Sequence, residues 1–307
     1  MSNQPQSNPP NRGHLTTEKR LDASSDLDVL SVEQILELIS TQDMQVPILV
    51  GQAIPLIAPL VKAAVDKLRE GGRLIYLGAG TSGRLGVLDA SECAPTFHCD
   101  PDMVVGLIAG GDRSLRQSSE GAEDDPDGAR DELEQRRVGP SDLVVGIAAG
   151  GTTPYVRGGL HIAKQRSATT ALLCCTLFAT DDWQVDHKVE LAVGPEVLTG
   201  STRMKAGTAT KLVLNMITTA TMVQLGKVWG NLMVDLRVTN AKLLDRAVRI
   251  LAEQCDLTRE DALVLLDQAD GRVKHALVMA KRQVDADQTQ HLLDQHDQQL
   301  RRIIGPP

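Results

Sequence analysis

The fold of this chain is decided by residues 73–93, which read RLIYLGAGTSGRLGVLDASEC. The apolar run Leu74–Leu77 predicts a buried strand, and a turn with three glycines follows over residues 78–83. The pattern after the turn predicts a helix that Pro95 ends. A strand that turns through glycines into a helix directs backbone N–H groups outward at the positive end of the helix dipole. The segment is therefore predicted to bind a phosphate or another anion.

Three interpretations of this glycine turn are open. The turn matches G-x-G-x-x-G, which is typical of dinucleotide sites, but that interpretation needs an acidic residue at the end of the second strand. Asp112 comes later than the usual spacing of about 20 residues. The hydroxyls in the turn, and two more polar glycine turns at 110–112 and 149–154, favour a sugar phosphate. A tight turn with only a structural role is the third interpretation.

Four more apolar runs alternate with helical patterns and predict further strands of a parallel sheet. These runs are Met103–Ala109, Leu143–Ala148, Thr169–Thr176 and Val189–Val193. The predicted fold is a three-layer αβα domain whose glycine turns cluster at the carboxyl edge of a five-stranded parallel sheet, where such folds bind ligands. Long helices are predicted over 47–70 and 208–226, and a further helix after Asp112 to about Asp124. The two long helices carry more apolar surface than one small sheet covers, which predicts a dimer.

The two ends of the chain differ in composition from its middle. Residues 1–13 are rich in Pro, Asn and Gln and are predicted to be a disordered tail. Residues 14–240 contain N-terminal helices and the predicted sheet. Residues 241–307 are predicted to form a small C-terminal helical module, with Asn240 and Thr258 as the N-caps of its first two helices.

Composition argues against several classes of partner. The 307 residues carry a net charge of −8, which disfavours a nucleic-acid surface. The five cysteines lack metal-ligand spacing, and Cys174 and Cys175 lie inside an apolar run, so reduced thiols and a cytoplasmic location are predicted. The histidines also lack metal-ligand spacing, and the sequence shows neither a signal peptide nor an apolar run of about 18 residues. No metal, nucleic-acid or membrane partner is predicted.

Two glutamates come into question as catalytic groups. Glu92 lies four residues after Leu88 and seven after Leu85, so it shares their face of the predicted helix. A carboxylate on an apolar face is desolvated, which favours its protonated form and makes it a better proton donor. The alternative is a structural carboxylate paired with a nearby arginine such as Arg84. Glu123 lies in an acidic run that most simply predicts a solvated face.

The predicted binding residues come from the glycine turns and from the segment after the sheet. Positive charge near the turns comes from Arg203, Lys205 and Lys211, and the alternative role of these cations is ordinary solvation of a helix end. The predicted substrate and phosphate ligands are Gly80, Thr81, Ser82, Gly150, Gly151, Thr152, Thr153, Ser201, Thr202 and Lys205.

Six segments together resemble the N-acetylmuramic acid 6-phosphate etherases, a branch of the sugar isomerase (SIS) domain family. They are LIYLGAGTSGRLGVLDASECAPTF, VVGLIAGGD, EGAEDD, VVGIAAGGTTPYV, LTGSTRMKAGTATKLVLNM and GNLMVDLRVTN. The resemblance extends from about Leu15 to the C-terminal module. The runs Asp89–Cys93 and Arg203–Gly207 are specific to this branch.

The resemblance implies a homodimer without a metal or nucleotide cofactor. It also implies cleavage of the lactyl ether of N-acetylmuramate 6-phosphate, which gives N-acetylglucosamine 6-phosphate and D-lactate. The proton donor of the etherases falls on Glu92, and their second catalytic glutamate falls on Glu123, for which the resemblance is the whole basis. Two alternatives share the fold: a sugar-phosphate isomerase, and a non-catalytic regulator that senses sugar phosphates.

The chain departs from the etherase pattern in its third glycine turn. Gly150-Gly-Thr-Thr-Pro154 stands where Ser-Gly-Arg-Thr-Pro is common, so a hydroxyl and a guanidinium are missing from a predicted phosphate loop. Thr152 and Thr153 supply the hydroxyls that can compensate.

Overall fold

The structure is a computed structural model, and it describes residues 12–117, 119–177, 183–236, 238 and 240–307. The predicted disordered tail, residues 1–13, lies outside the described residues except for Arg12 and Gly13.

Five parallel strands form the central sheet, as the sequence predicts. They are β1 (Leu74–Gly78), β2 (Val104–Ile108), β3 (Leu143–Ile147), β4 (Thr169–Cys174) and β5 (His187–Glu190). Their order is β2-β1-β3-β4-β5, and every neighbouring pair is parallel. From β1 the chain passes to β2 on one side and then to β3 on the other. The switch point of the topology, where sheets of this order bind ligands, therefore lies between the carboxyl ends of β1 and β3.

Helices cover both faces of the sheet and complete the three layers. On one side, α1 (Val32–Asp43) and α2 (Val46–Gln52) pack against α8 (Lys205–Gln224), whereas α3 (Ile54–Arg69) and α4 (Gly80–Phe97) contact the strands and α8 packs on α3 and α4. On the other side, α5 (Glu120–Glu123) and α6 (Arg130–Gln135) pack against α7 (Pro154–Gln165), which contacts β1, β3 and β4. Because side chains alternate along a strand, Leu74 and Tyr76 join the core of the first face, whereas Ile75 and Leu77 join the second core.

Three predicted helix boundaries are wrong. The helix predicted over 47–70 is broken between α2 and α3, because Pro55 lies in the first turn of α3 and cannot continue a preceding helix. Helix α4 passes through Pro95 and ends at Phe97, and the next residue, His98, has a left-handed φ of 46°. The proline therefore costs a hydrogen bond without ending the helix. The helix predicted from Asp112 to Asp124 is a 3₁₀ helix followed by the short α5, since Ser119 and Gly121 disfavour helix interiors.

Among the described residues, no single helix is both long and apolar enough to cross a membrane. Val32–Gln52 and Ile54–Arg69 meet the criteria of length and composition only when taken together, with a bend of 60° between them.

The C-terminal helices surround a core of their own. They are α9 (Ala241–Cys255), α10 (Arg259–Gln268), α11 (Val273–Arg282), α12 (Ala286–Gln295) and α13 (Leu300–Ile304), and a hairpin of β6 (Val228–Trp229) and β7 (Leu232–Met233) precedes them. The predicted N-caps are confirmed, since Asn240 accepts from the N–H of Leu243 and Thr258 from that of Asp261. Trp229 belongs to this core although it precedes residue 241. The boundary at residue 240 stays a prediction.

Two glycines allow α4 to begin in contact with the end of β1. A Cβ at Gly83 would lie 2.7 Å from the carbonyl oxygen of Gly78 and 2.7 Å from Cγ1 of Ile108. A Cβ at Gly78 would lie 2.7 Å from the nitrogen of Gly83. Distances this short exclude any side chain, so the glycine spacing fixes how the turn connects strand to helix.

Gly83→Ala is expected to lower the free energy of unfolding by about 1–3 kcal/mol, because overpacking outweighs the roughly 1 kcal/mol by which alanine favours a helix. The matched control is Gly51→Ala in α2, where a Cβ would meet nothing within 4 Å. That variant should be neutral or more stable. Urea unfolding of both variants measures the difference, and equal shifts in midpoint would contradict the packing argument.

Candidate functional site

Two glycine turns meet at the switch point of the sheet. Gly78 pairs in register with Ile147, so the turn after β1 and the turn after β3 leave neighbouring strands at the same edge. The N-cap residue of α4 is Ala79, and its side chain cannot cap the first turn. The backbone N–H groups at the start of α4 therefore suit an anion. Thr81 and Ser82 lie in this first turn and are both half-buried.

Glu123 lies beside the first glycine turn. A Cβ at Gly80 would be 2.8 Å from Oε1 of Glu123, and Gly80 has a left-handed φ of +52°. Both facts explain why position 80 is glycine. The acidic pattern predicts a solvated face here, and Asp124 and Asp125 are indeed exposed, whereas Glu123 is half-buried. The sequence pattern alone was therefore wrong about the surroundings of Glu123.

The start of α8 reaches the same turn but already holds a carboxylate. A Cβ at Gly207 would lie 3.5 Å from Cγ2 of Thr81 and 3.6 Å from the carbonyl oxygen of Thr202, which places the segment with Ser201 and Thr202 near the turn. The first N–H groups of α8, however, donate at 3.0 and 2.9 Å to the two carboxylate oxygens of Glu196. Glu196 is fully buried, and burial raises its pKa.

Lys205 has a different environment from the one the sequence predicts. Its side chain is only 3% exposed, and its Nζ donates to Oε1 of Gln42 at 2.9 Å. Burial lowers the pKa of this ammonium. The role of Lys205 as a phosphate ligand stays a prediction that this contact with Gln42 does not favour.

Residues 15–18 also lie at the carboxyl edge, which no pattern in the sequence predicts. The Oγ1 atoms of Thr16 and Thr176 are 2.9 Å apart. A Cβ at Gly150 would lie 3.6 Å from Oγ1 of Thr17, and a Cβ at Gly200 would lie 3.5 Å from Oε2 of Glu18. We call residues 15–18 the N-terminal segment. It contacts the loops that follow β3, β4 and β5.

Glu92 lies in a cleft between α4 and α8 that has a volume of about 340 Å³. Its side chain is exposed, and Leu88 on the same face is 44% exposed, so the predicted desolvation of Glu92 is wrong for a single chain. The physical reason is that nothing among the described residues covers this apolar face. Arg84, the alternative partner for Glu92, instead donates to the carbonyl oxygens of Ser114 and Leu115.

An ion pair between the buried Asp89 and the half-buried Lys211 forms one wall of this cleft. Asp89 is 3% exposed and accepts from Nζ of Lys211 at 2.9 Å and from the hydroxyl of Tyr76 at 3.2 Å. Burial raises the pKa of Tyr76 well above its ordinary value, so its hydroxyl remains a donor to Asp89. These contacts join α8 to α4 and β1, and they place the Lys211 ammonium in the cleft that Glu92 lines.

The two glutamates are far apart within one chain. Glu92 follows Gly80 by twelve residues of α4, which is a rise of about 18 Å along the helix. Glu123 lies against Gly80. The carboxylates are therefore too distant to act on neighbouring carbons of one substrate molecule. The structure brings Glu123 to the predicted phosphate ligands and leaves Glu92 in a separate cleft.

A further cavity of about 680 Å³ lies beside α7 and reaches the third glycine turn at Thr152. Several cationic side chains line it, including Arg157 and Lys164, but neither glutamate does. Among the described residues, no three His, Cys, Asp or Glu side chains are arranged to hold a metal ion.

The strand order, the three layers and the glycine turns at the carboxyl edge define an α/β domain of the SIS type. A family model described as the N-terminal SIS domain of glucokinase regulatory protein matches residues 56–164. A model of the C-terminal lid domain of the same protein matches residues 230–275.

Curated relatives define the family more narrowly. The chain is 51% identical to the N-acetylmuramic acid 6-phosphate etherase of Prochlorococcus marinus strain MIT 9313, over 96% of this chain and 93% of that protein. The etherase of Synechococcus sp. strain CC9605 is 52% identical over 96% of this chain and 93% of its own length. That of Cutibacterium acnes is 53% identical over 86% of this chain and 87% of its own. The chain belongs to the N-acetylmuramic acid 6-phosphate etherase family.

Proposed function

We propose that the protein is a carbon–oxygen lyase that cleaves the lactyl ether of N-acetylmuramate 6-phosphate. The products are N-acetylglucosamine 6-phosphate and D-lactate, and the reaction uses no cofactor. The observation that carries the proposal is an identity above 50% with named etherases over nearly the whole chain. The position of Glu123 beside the open start of α4 adds a structural argument. The isomerase and the regulator are less favoured, because these relatives are named etherases.

The phosphate is proposed to bind where the two glycine turns meet. The start of α4 has no cap from its N-cap side chain and presents a positive dipole end at the switch point of the sheet. The proposed ligands are Gly80, Thr81, Ser82, Gly150, Gly151, Thr152, Thr153, Ser201 and Thr202. The phosphate makes no bond during the reaction, so its role is to hold and orient the sugar.

The chemistry needs one base and one acid. In the open-chain sugar the aldehyde acidifies carbon 2, and a base removes the proton there to give an enolate. The enolate forms the carbon 2–carbon 3 double bond and expels lactate, whose ether oxygen takes a proton from the acid. Water then adds its oxygen to carbon 3 and a proton to carbon 2. We assign the acid to Glu92 and the base to Glu123.

Turnover in ¹⁸O water should release D-lactate without label and place ¹⁸O at carbon 3 of the sugar, with solvent deuterium at carbon 2 in a parallel run. Direct displacement would instead bring water to a lactyl carbon whose carboxylate repels an incoming hydroxide. Mass spectrometry of both products decides between these mechanisms.

Glu92→Gln should lower turnover by at least ~10²-fold. Absence of D-lactate with the wild-type protein would overturn the proposed function.

Thr81→Val combined with Ser82→Ala should raise KM more than it lowers kcat, because the two hydroxyls bind a group that takes no part in the bond changes. Ser91→Ala is the matched control, since this exposed α4 hydroxyl donates to the carbonyl oxygen of Leu88. Steady-state kinetics gives both constants. Equal use of unphosphorylated N-acetylmuramate by the wild-type protein would refute the phosphate site.

The separation of the glutamates leads to a proposed homodimer with shared sites. If both act on one substrate molecule, Glu92 of one protomer must meet the partner's Glu123 across an interface. Exposed apolar side chains on the helices of this face of the sheet support this. Leu88, which lines the Glu92 cleft, is 44% exposed, and Ile54 (52%) and Met216 (37%) line a second cleft between α3 and α8. Such exposed apolar patches mark protein interfaces.

Mixing inactive Glu92→Gln protomers with inactive Glu123→Gln protomers tests this arrangement directly. In a mixed dimer, one site combines both substitutions, whereas the other site combines two native glutamates. Half of the dimers from random assembly are mixed and each has one intact site, so about a quarter of the wild-type activity should return. Co-expression with two different tags isolates the mixed dimer, and each variant refolded alone is the control. No recovery in a purified mixed dimer would exclude shared sites.

The location of the protein in the cytoplasm remains a prediction. All five cysteines are free, and burial raises the pKa of the Cys174 and Cys175 thiols to about 12. Protonated buried thiols support the predicted reducing compartment.

A further inference from the structure

The N-terminal segment is held in place by the two residues that precede Thr17. Leu15 is only 3% exposed and packs near Gly150, and the hydroxyl of Thr16 bonds that of Thr176. A 3₁₀ helix over Thr16–Glu18 connects these contacts. The position of Thr17 at the carboxyl edge is therefore determined by its neighbours and requires no hydrogen bond from its own side chain.

The hydroxyl of Thr17 has no hydrogen-bond partner among the described residues, although the residue is completely buried. Native proteins pair nearly all buried polar groups, because an unpaired one loses its hydration without compensation. At the carboxyl edge of the sheet, where such folds bind ligands, a ligand that forms the missing hydrogen bond would explain the unpaired hydroxyl.

The surroundings of Thr17 indicate which ligand group this is. Gly150 has no side chain, and a Cβ there would stand at ordinary contact distances of 3.6 Å from Oγ1 of Thr17 and 3.9 Å from Oγ1 of Thr152. The room that a side chain would fill is thus bounded by the hydroxyl of Thr17 and by that of Thr152, which lies on the third glycine turn. This turn leaves β3 next to the turn that opens α4. An oxygen-rich anion at the switch point can reach both turns.

We infer that Thr17 is a ligand of the sugar-phosphate site, and that its hydroxyl donates to a phosphate oxygen at the third glycine turn together with Thr152. The inference rests on the proposed function for the identity of the ligand. It adds a ligand from a segment more than a hundred residues away in the chain from the turn that it completes. It also supplies a hydroxyl beside Gly150, where the etherase pattern commonly has a serine.

Thr17→Val removes the hydroxyl and keeps the branched shape, so it tests the inference. KM for N-acetylmuramate 6-phosphate should rise roughly tenfold or more with little change in kcat, as for a lost hydrogen bond to a charged group. The rise in Tm that the product N-acetylglucosamine 6-phosphate causes should shrink. The Tm of the free protein should stay equal or increase, because valine replaces an unpaired hydroxyl. Thr17→Ser keeps the hydroxyl and should retain a KM near that of the wild-type protein.

The matched control is Thr289→Val in α12. Thr289 is also completely buried with an unpaired hydroxyl, but it lies among the C-terminal helices. Its substitution should change the Tm of the free protein in the same direction as Thr17→Val does. It should leave KM and the rise in Tm caused by the product unchanged. The inference is overturned if Thr17→Val keeps the wild-type KM, if it fails to fold, or if Thr17→Ser loses as much affinity as Thr17→Val. A wild-type protein that releases no D-lactate would count against the proposed function instead.

Discussion

The close contact between the end of β1 and the start of α4 determines most of this structure. Because Gly78 and Gly83 carry no side chains, the helix begins against the strand, and its first N–H groups lie at the switch point of the sheet. The rest of α4 then follows from the rise per residue. Asp89 therefore lies within hydrogen-bond distance of Tyr76 on β1 and of Lys211 on α8. Glu92 lies three residues further along the helix. One contact between two glycines thus positions the proposed anion site and the proposed acid.

Two helices, α4 and α8, begin near this edge, and they differ in which group lies against their first backbone N–H groups. At the start of α8, the first two N–H groups donate to the carboxylate of Glu196. The start of α4 has alanine at the N-cap, which supplies no cap, and the carboxylate beside it belongs to the half-buried Glu123. A phosphate at α8 would have to displace the fully buried carboxylate of Glu196 from two N–H groups. This difference favours α4 as the phosphate site and makes Lys205, at the start of α8, a less favourable ligand.

The sequence predicted the sheet well and the site incompletely, and the reason is the range of the interactions. Continuous apolar runs bounded by glycines locate buried strands, and all five were found. Proline positions were less reliable, since α4 continues through Pro95. Periodicity correctly placed Glu92 on the face of Leu88, but it cannot tell whether that face is covered by the same chain. Sequence patterns do not indicate a role for Thr17, because its neighbours at the carboxyl edge are distant in sequence, as in the Thr16–Thr176 contact.

The exposure of Glu92 and its distance from Glu123 have one common explanation in the proposed dimer. A solvated carboxylate is a weak proton donor at neutral pH, and it becomes a better one only when water is excluded. The chain itself leaves Glu92 in an open cleft beside exposed Leu88. A second protomer on this face would cover the apolar surface, desolvate the acid and bring its own glutamate and phosphate turn to the cleft. Association would then create the acid's environment and complete the catalytic pair in the same step, so neither glutamate needs to be poised for catalysis in the separate chain.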